Sequence, residues 1–190
     1  MRLVLLGAPG SGKGTQGGLL AQRLGVAHVA SGELLRAHVD AESELGIEVG
    51  ARLAHGDLVP DDVVLGVVCE AVTVASRAGG YILDGFPRTR AQAEHAYELA
   101  VPKGIEAEAA VYLALADDVA RRRLAGRADR GRADDAHADV IERRLQLFHA
   151  NMRPILDFYE GRGILHPVDA EESANAVTEA ILASLARISS

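Results

Sequence analysis

The chain has 190 residues, 48% of them apolar, which is enough for one α/β domain with a sizeable core. Its net charge of −7 argues against nonspecific binding to nucleic acid, and no stretch approaches the roughly 18 apolar residues that span a bilayer. The single cysteine, Cys69, rules out an intramolecular disulfide, and no Cys/His cluster has zinc spacing. A reducing, cytoplasmic setting without structural zinc is therefore expected.

In chain order, the apolar run Leu3 to Leu6 reads as a strand from about Arg2 to Leu6, too short for a signal peptide. Gly7-Ala8-Pro9-Gly10-Ser11-Gly12-Lys13-Gly14-Thr15 follows, then Leu19, Leu20, Ala21 and Leu24 at helical spacing. A strand, a glycine-rich turn and a helix start make a phosphate cradle. Glycines let amides curl toward an anion, the helix N-terminus adds partial positive charge, and Lys13 adds a full one. The spacing is that of a P-loop, except that Gly14 follows the lysine and the hydroxyl comes at Thr15. Within this helix, predicted over Lys13 to Leu24 and closed by Gly25, the pair Gly17-Gly18 conflicts with local propensity by about 1 kcal/mol per glycine.

A short strand at Ala27 to Ala30 leads to Ser31, an expected N-cap, with Glu33, Leu34 and Leu35 behind it and Arg36 one turn in. Leu45, Val49 and Leu53 predict a helix over Glu44 to Ala54, and Pro60 suits the first turn of the next, which runs to about Ala78. Tyr81-Ile82-Leu83-Asp84 reads as a strand ending in an acid, where open α/β sheets place ligands. In P-loop proteins that acid commonly serves Mg²⁺.

A helix over Thr89 to Ala100 and a buried strand at Ala109 to Leu115 come next, and Asp117 opens a helix carrying Arg123 and Arg127. The six arginines 121, 122, 123, 127, 130 and 132, in an acidic chain, point to a small polyanionic ligand. Residues 126–139 have no large apolar side chain and read as a short flap. The longest helix is predicted over Val140 to Glu160, with Pro154 expected to kink or loosen it. A strand at Gly163 to Val168 and a helix striped by Val177, Ile181 and Leu185 end the chain. None of the seven histidines has ligand or triad spacing, so all read as surface or packing residues. Five strands alternating with helices imply one parallel sheet covered on both faces, with 31–60 and 126–139 as excursions from a single body spanning 1–190.

Four groups of residues together resemble the adenylate kinases. They are Gly7 to Thr15 with Gln16; Ser31-Gly32-Glu33-Leu34-Leu35-Arg36; Asp84-Gly85-Phe86-Pro87-Arg88-Thr89 with Gln92; and the Arg123/Arg127/Arg132 series. The resemblance spans essentially the whole chain, and the Gly-Lys-Gly-Thr form is usual in that family. It implies a P-loop nucleoside triphosphate hydrolase-like three-layer fold: a five-stranded parallel sheet flanked by helices, a helical NMP-binding excursion at 31–60 and a short lid at 126–139. The lid is of the type lacking the long insertion and four metal-binding cysteines of some bacterial members. The implied reaction is reversible Mg²⁺-dependent transfer from ATP to AMP, giving two ADP and balancing the adenine nucleotides.

By the same resemblance, Gly10, Ser11, Gly12, Lys13, Gly14 and Thr15 hold the ATP phosphates, with Arg123 and Arg127. Arg36 and Arg88 hold the AMP phosphate, while Arg123, Arg132 and Arg144 close over the transferring group. Ser31, Gln92, Gly85 and the main chain near Val59 line the acceptor adenosine. Mg²⁺ sits between the phosphates with water-mediated help from Asp84 and Glu33. Arginine forks suit this work because they bind phosphate oxygens bidentately. Arg144 is chosen over Arg143 because it fits Pro154 and the apolar stripe. A monomer is the default expectation, without nucleic-acid or membrane partners. A UMP/CMP kinase shares the P-loop and Asp-Gly-Phe-Pro-Arg, but Ser31 and Gln92 favour AMP. A GTP-driven switch would resemble its kind in an N-K-x-D segment, which neither Asn151 nor Asn175 begins, and a silent nucleotide-binding scaffold would have lost Lys13 or arginines.

Overall fold

A computed structural model describes residues 1–128 and 138–186. Five parallel strands form one sheet in the order β2-β3-β1-β4-β5. They are β1 (Arg2–Gly7), β2 (Ala27–Ala30), β3 (Tyr81–Asp84), β4 (Ala109–Ala114) and β5 (Leu165–Asp169). The helices are α1 (Lys13–Leu24), α2 (Ser31–Asp40), α3 (Glu44–His55), α4 (Asp61–Arg77), α5 (Arg90–Ala100), α6 (Asp117–Ala128), α7 (Ala138–Glu160) and α8 (Ala174–Ala186).

Period-two alternation along buried strands divides the core into two layers. Val4, Leu6, Val29 and Leu83 face a layer that includes Val64, Val68 and Val72 of α4 and Ile155 and Phe158 of α7. Leu3, Leu5, Ile82, Val111 and Leu113 face the other, with Leu20 of α1 and Val177, Ile181 and Leu185 of α8. A third cluster joins Ala120 and Leu124 of α6 to Ile141 and Leu145 of α7. Pro167 falls in β5, an edge strand, where a missing N–H is tolerated.

Element types agree with the sequence reading throughout the described residues, and several boundaries move. Ser31 is the first helical residue of α2, with Ala30 at the cap position and no side-chain cap bond. Its hydroxyl is buried against Gly85 instead. Pro60 occupies the cap position of α4. The expected flap 126–139 is helical at both described ends, since α6 continues through Ala128 and α7 begins at Ala138. The rest of that segment, with Arg132, lies outside the described residues. α7 runs through Pro154 as one assigned helix.

Gly17 resolves the propensity conflict in α1. A Cβ there would stand 2.6 Å from His28 Cδ2 and closer still to Nε2, so only glycine lets α1 lie against the β2 histidine. A Cβ at Gly18 would meet nothing within 4 Å, and no contact explains that glycine.

Candidate active site

β1, central in the sheet, releases the chain at Gly7 into the glycine turn, and β3 beside it ends at Asp84. The C-terminal ends of these neighbours define the mouth where an α/β sheet takes ligands. Gly12, at φ 92°, occupies the cap position of α1, a backbone state that an L side chain resists. The turn is braced from within. Lys13 Nζ donates to the carbonyls of Gly7 (2.8 Å) and Ala8 (3.0 Å), which holds the ammonium over the loop.

Behind the loop, the buried Gln16 ties α1 to α8. Its Nε2 donates to the Ala174 carbonyl (2.9 Å), and its Oε1 accepts from Thr178 Oγ1 (2.7 Å). Ser11 is buried, and its hydroxyl has no hydrogen-bond partner. Thr15 is exposed.

Opposite the loop, α2 and α3 leave the sheet and return at Gly56, forming the wall of a cleft of about 200 Å³. Gly10, Gly12, Lys13, Gly14, Glu33, Arg36, Asp84, Gly85, Arg88 and Arg144 all line it. Arg143 does not, and instead donates from Nε to Asp57 Oδ1 at 3.0 Å on the outer surface. Arg144 is thus the cleft residue of the pair. Phe86 and Pro87, joined by a cis peptide, carry Arg88 to the cleft floor, where its Nε donates to the Gly85 carbonyl at 2.8 Å.

Arg88 is open to the solvent of the cleft while protein surrounds it on most sides. That enclosure, followed by the like charges of Arg144 and Arg36, pulls its guanidinium below the ordinary arginine range, and Asp84 opposes the shift. The group remains a cation at any physiological pH. Arg36, Arg88 and Arg144 thus share the cleft with the carboxylates of Glu33, Asp57 and Asp84.

Three expected acceptor-side residues sit behind the cleft surface: Ser31 (1% exposed), Val59 (5%) and Gln92 (2%). Gly85, at φ 79°, brings its backbone so near Ser31 that a Cβ would lie 2.6 Å from Oγ. Arg123 on α6 donates to the carbonyls of Ala170 (2.8 Å) and Glu171 (3.0 Å), anchoring it beside the end of β5. Arg127 belongs to α6, but its side chain, like Arg132, lies outside the described residues.

Asp84 and Glu33 supply hard oxygen donors beside Lys13 and Gly14, a set that suits Mg²⁺ held largely by phosphates and water. Among the described residues there is no group of three or more His, Cys, Asp or Glu that could hold a metal ion. A second cavity of about 60 Å³, lined by Val68, Val72, Leu83, Phe86 and Tyr97 among others, is almost wholly apolar.

Residue patterns alone missed two partners. His28 lies with Nε2 3.9 Å from Asp84 Oδ2, beyond hydrogen-bond range, and that nitrogen is buried without a partner. Its place in β2, paired beside β3, could have put it near Asp84 once the strand order was known. Asp61 accepts from Gln92 Nε2 at 2.7 Å across 31 positions, which no local spacing signals.

Among the described residues no helix is long and apolar enough to cross a membrane. Residues 5–164 match the sequence model of the adenylate kinase family. Similar proteins include the adenylate kinase of Stenotrophomonas maltophilia strain R551-3, 44% identical over 97% of this chain and 99% of that protein. That of Xanthomonas euvesicatoria pv. vesicatoria strain 85-10 is 42% identical over 98% of this chain and all of the relative. That of Synechococcus sp. strain WH7803 is 43% identical over 97% of this chain and 98% of the relative. With a phosphate loop, an arginine-lined cleft and full-length likeness in agreement, the chain belongs to the adenylate kinase family.

Proposed function

We propose that the cleft catalyses reversible transfer of the terminal phosphoryl group of Mg·ATP to AMP, giving two ADP. The observation that carries this reading is the convergence of Lys13, Arg36, Arg88 and Arg144 on one cleft beside Asp84 and Glu33. Such a set suits two phosphate chains meeting end to end, because cationic side chains neutralise oxyanions that would otherwise repel one another.

In this reading the loop amides from Gly10 to Thr15 and Lys13 hold the donor phosphates, helped by Arg123 and Arg127. Arg36 and Arg88 hold the acceptor phosphate. Arg88, Arg144 and Arg132 stabilise the charge spread over the transferring group. Phosphoryl transfer asks for alignment and charge stabilisation more than covalent help, so no side chain need act as a general base. Asp84 and Glu33 would hold Mg²⁺ through water, and the ion would bridge and neutralise phosphate oxygens. Ser31, Val59, Gly85 and Gln92 form the acceptor's base pocket, and 126–139 closes as a lid. The lone Cys69 suits a reducing, cytoplasmic setting, and a monomer is the default reading.

The test is ADP formation from Mg·ATP with AMP, UMP, CMP or GMP supplied separately. Turnover with AMP well above the others supports the assignment. Turnover mainly with UMP or CMP keeps the phosphate chemistry and overturns the base pocket.

A further inference from the structure

Gln92 is 2% exposed, and both ends of its amide are engaged. The backbone N–H of Arg88 donates to Oε1 at 2.7 Å, and Nε2 donates to Asp61 Oδ1 at 2.7 Å. A backbone amide only donates and an ionised carboxylate only accepts, so the two partners dictate which end is oxygen. Turned over, the amide would set Nε2 against the Arg88 N–H and Oε1 against the carboxylate. Two hydrogen bonds would be lost and two like pairs opposed.

Asp61 is itself held in place. Its Oδ2 accepts from Thr89 Oγ1 at 3.2 Å, and that hydroxyl oxygen caps α5 by accepting from Gln92 N at 3.1 Å. The carboxylate at the start of α4 and the cap of α5 therefore grip the same glutamine.

We propose that Asp61 is a specificity-determining positioning residue. Together with the Arg88 N–H, it locks the Gln92 amide in the one orientation that reads a 6-amino purine and refuses a 6-oxo purine. The inference rests on the reading above that Gln92 meets the acceptor base. The locked amide has one N–H and one lone pair left to offer. Adenine presents an acceptor at N1 beside a donor at its 6-amino group, which complements that pair. Hypoxanthine and guanine present N1–H beside O6, the reverse pattern, and would need the amide turned. Cytosine presents an acceptor at N3 beside an amino donor, the same pattern as adenine. The lock therefore sorts amino from oxo bases, while pocket size sorts purines from pyrimidines. A site whose buried polar groups are left unpaired by the wrong base rejects it strongly.

The test compares kcat/KM for AMP and for IMP, which differs from AMP only along this edge, in the parent and in Asp61→Leu, Asp61→Asn and Gln92→Leu. In Asp61→Leu, turning the amide forfeits one hydrogen bond rather than two, so the AMP/IMP ratio should narrow by about tenfold. The KM for ATP and the AMP/CMP ratio should stay where they were. Asp61→Asn can turn its own amide to offer Gln92 either an oxygen or an N–H, so it too should narrow the ratio although it is nearly isosteric with aspartate. An Asp61→Leu enzyme with the parental AMP/IMP ratio, or one that loses AMP and IMP activity equally, overturns the lock. If that occurs while Gln92→Leu loses its preference for AMP, Gln92 stands as reader and only Asp61's part fails. If Gln92→Leu handles AMP and IMP as the parent does, the reader itself is wrong and the lock falls with it. Circular-dichroism melts check folding, and Asp61→Ala carries the same comparison should the leucine variant melt below the assay temperature.

Discussion

Replacing Arg88 by alanine separates a catalytic cation from a structural one. Its side chain makes one hydrogen bond within the protein, Nε to the Gly85 carbonyl, at a position open to the cleft. A solvent-accessible bond of this kind is worth about 1 kcal/mol or less net. Arg144 and Arg36 disfavour this cation and Asp84 favours it, so the neighbouring charges oppose one another when it is removed. With one solvent-accessible hydrogen bond lost, Arg88→Ala should melt within a few degrees of the parent.

Activity should behave otherwise. Removing one preorganised group from developing phosphate charge raises the barrier by about 3–4 kcal/mol, a loss of roughly 10²–10³ in kcat. The loss in kcat/KM for AMP should be larger still, because the acceptor phosphate also loses its fork. Arg88→Lys keeps the charge without the fork and should fall between parent and alanine. Steady-state ADP formation with AMP varied at saturating Mg·ATP, beside a thermal melt, reads both quantities. A kcat within tenfold of the parent, or a melt that collapses with activity, would refute the reasoning.

Other consequences follow from packing. Gly17→Ala places a methyl against the His28 ring, 2.6 Å from Cδ2, and should destabilise the protein by about 1–3 kcal/mol; His28→Ala should recover most of that loss in a double-mutant cycle of urea melts. Gly46→Ala sets its methyl 2.7 Å from Val39 Cα where α3 crosses α2, with backbone that cannot yield cheaply; it should lower the melting temperature and raise KM for AMP more than for ATP. Burial, above other causes, pushes the hydroxyls of Tyr81 and Tyr159 well above the ordinary tyrosine range. The unfolded chain then ionises first, from about pH 10, and binds fewer protons than the native state. Their stabilisation is therefore complete below pH 10 and lost as pH rises beyond it. Urea midpoints measured from pH 8 to pH 11 should fall at the alkaline end, and Tyr159→Phe should flatten that fall.

How much of this was legible in the residues depends on the range of the interaction. The P-loop, the strand ending at Asp84 and the helix expected from Thr89 to Ala100 are contiguous signals, and the structure has them within a residue or two. Helix stripes such as Leu145, Met152 and Ile155 on α7 likewise depend only on the helical period. Ser31 was misread as a cap because its local pattern suits one, whereas the close approach of Gly85 recruits it to a buried contact. The Gly17 conflict has its answer in His28 on another strand, and the Gln92 amide has its partner at the start of α4. Arg143 and Arg144 are adjacent, and a helix turns about 100° per residue, so one reaches the cleft and the other the outer surface. Choosing between them needs the rotational phase of α7, which the apolar stripe carries.

The two halves of the cleft are held by different kinds of contact. On the donor side, buried hydrogen bonds from Gln16 and Thr178 fasten α1 to α8, and Arg123 grips two carbonyls at the end of β5. On the acceptor side, the returning turn of the 31–60 excursion rests on α7 through Gly56, whose Cβ would lie 2.9 Å from Arg144 Cγ, and through the Asp57–Arg143 pair. That pair is largely solvent-exposed, and such pairs are worth about 0–1 kcal/mol. That surface pair therefore adds little free energy of its own to closure of this wall. Phosphate bound between Arg36, Arg88 and Arg144 would tie the excursion, the floor and α7 together with charge-assisted bonds far stronger than the surface ion pair. Binding energy would then draw the wall shut only around an occupied site, which also keeps water from the transferring group.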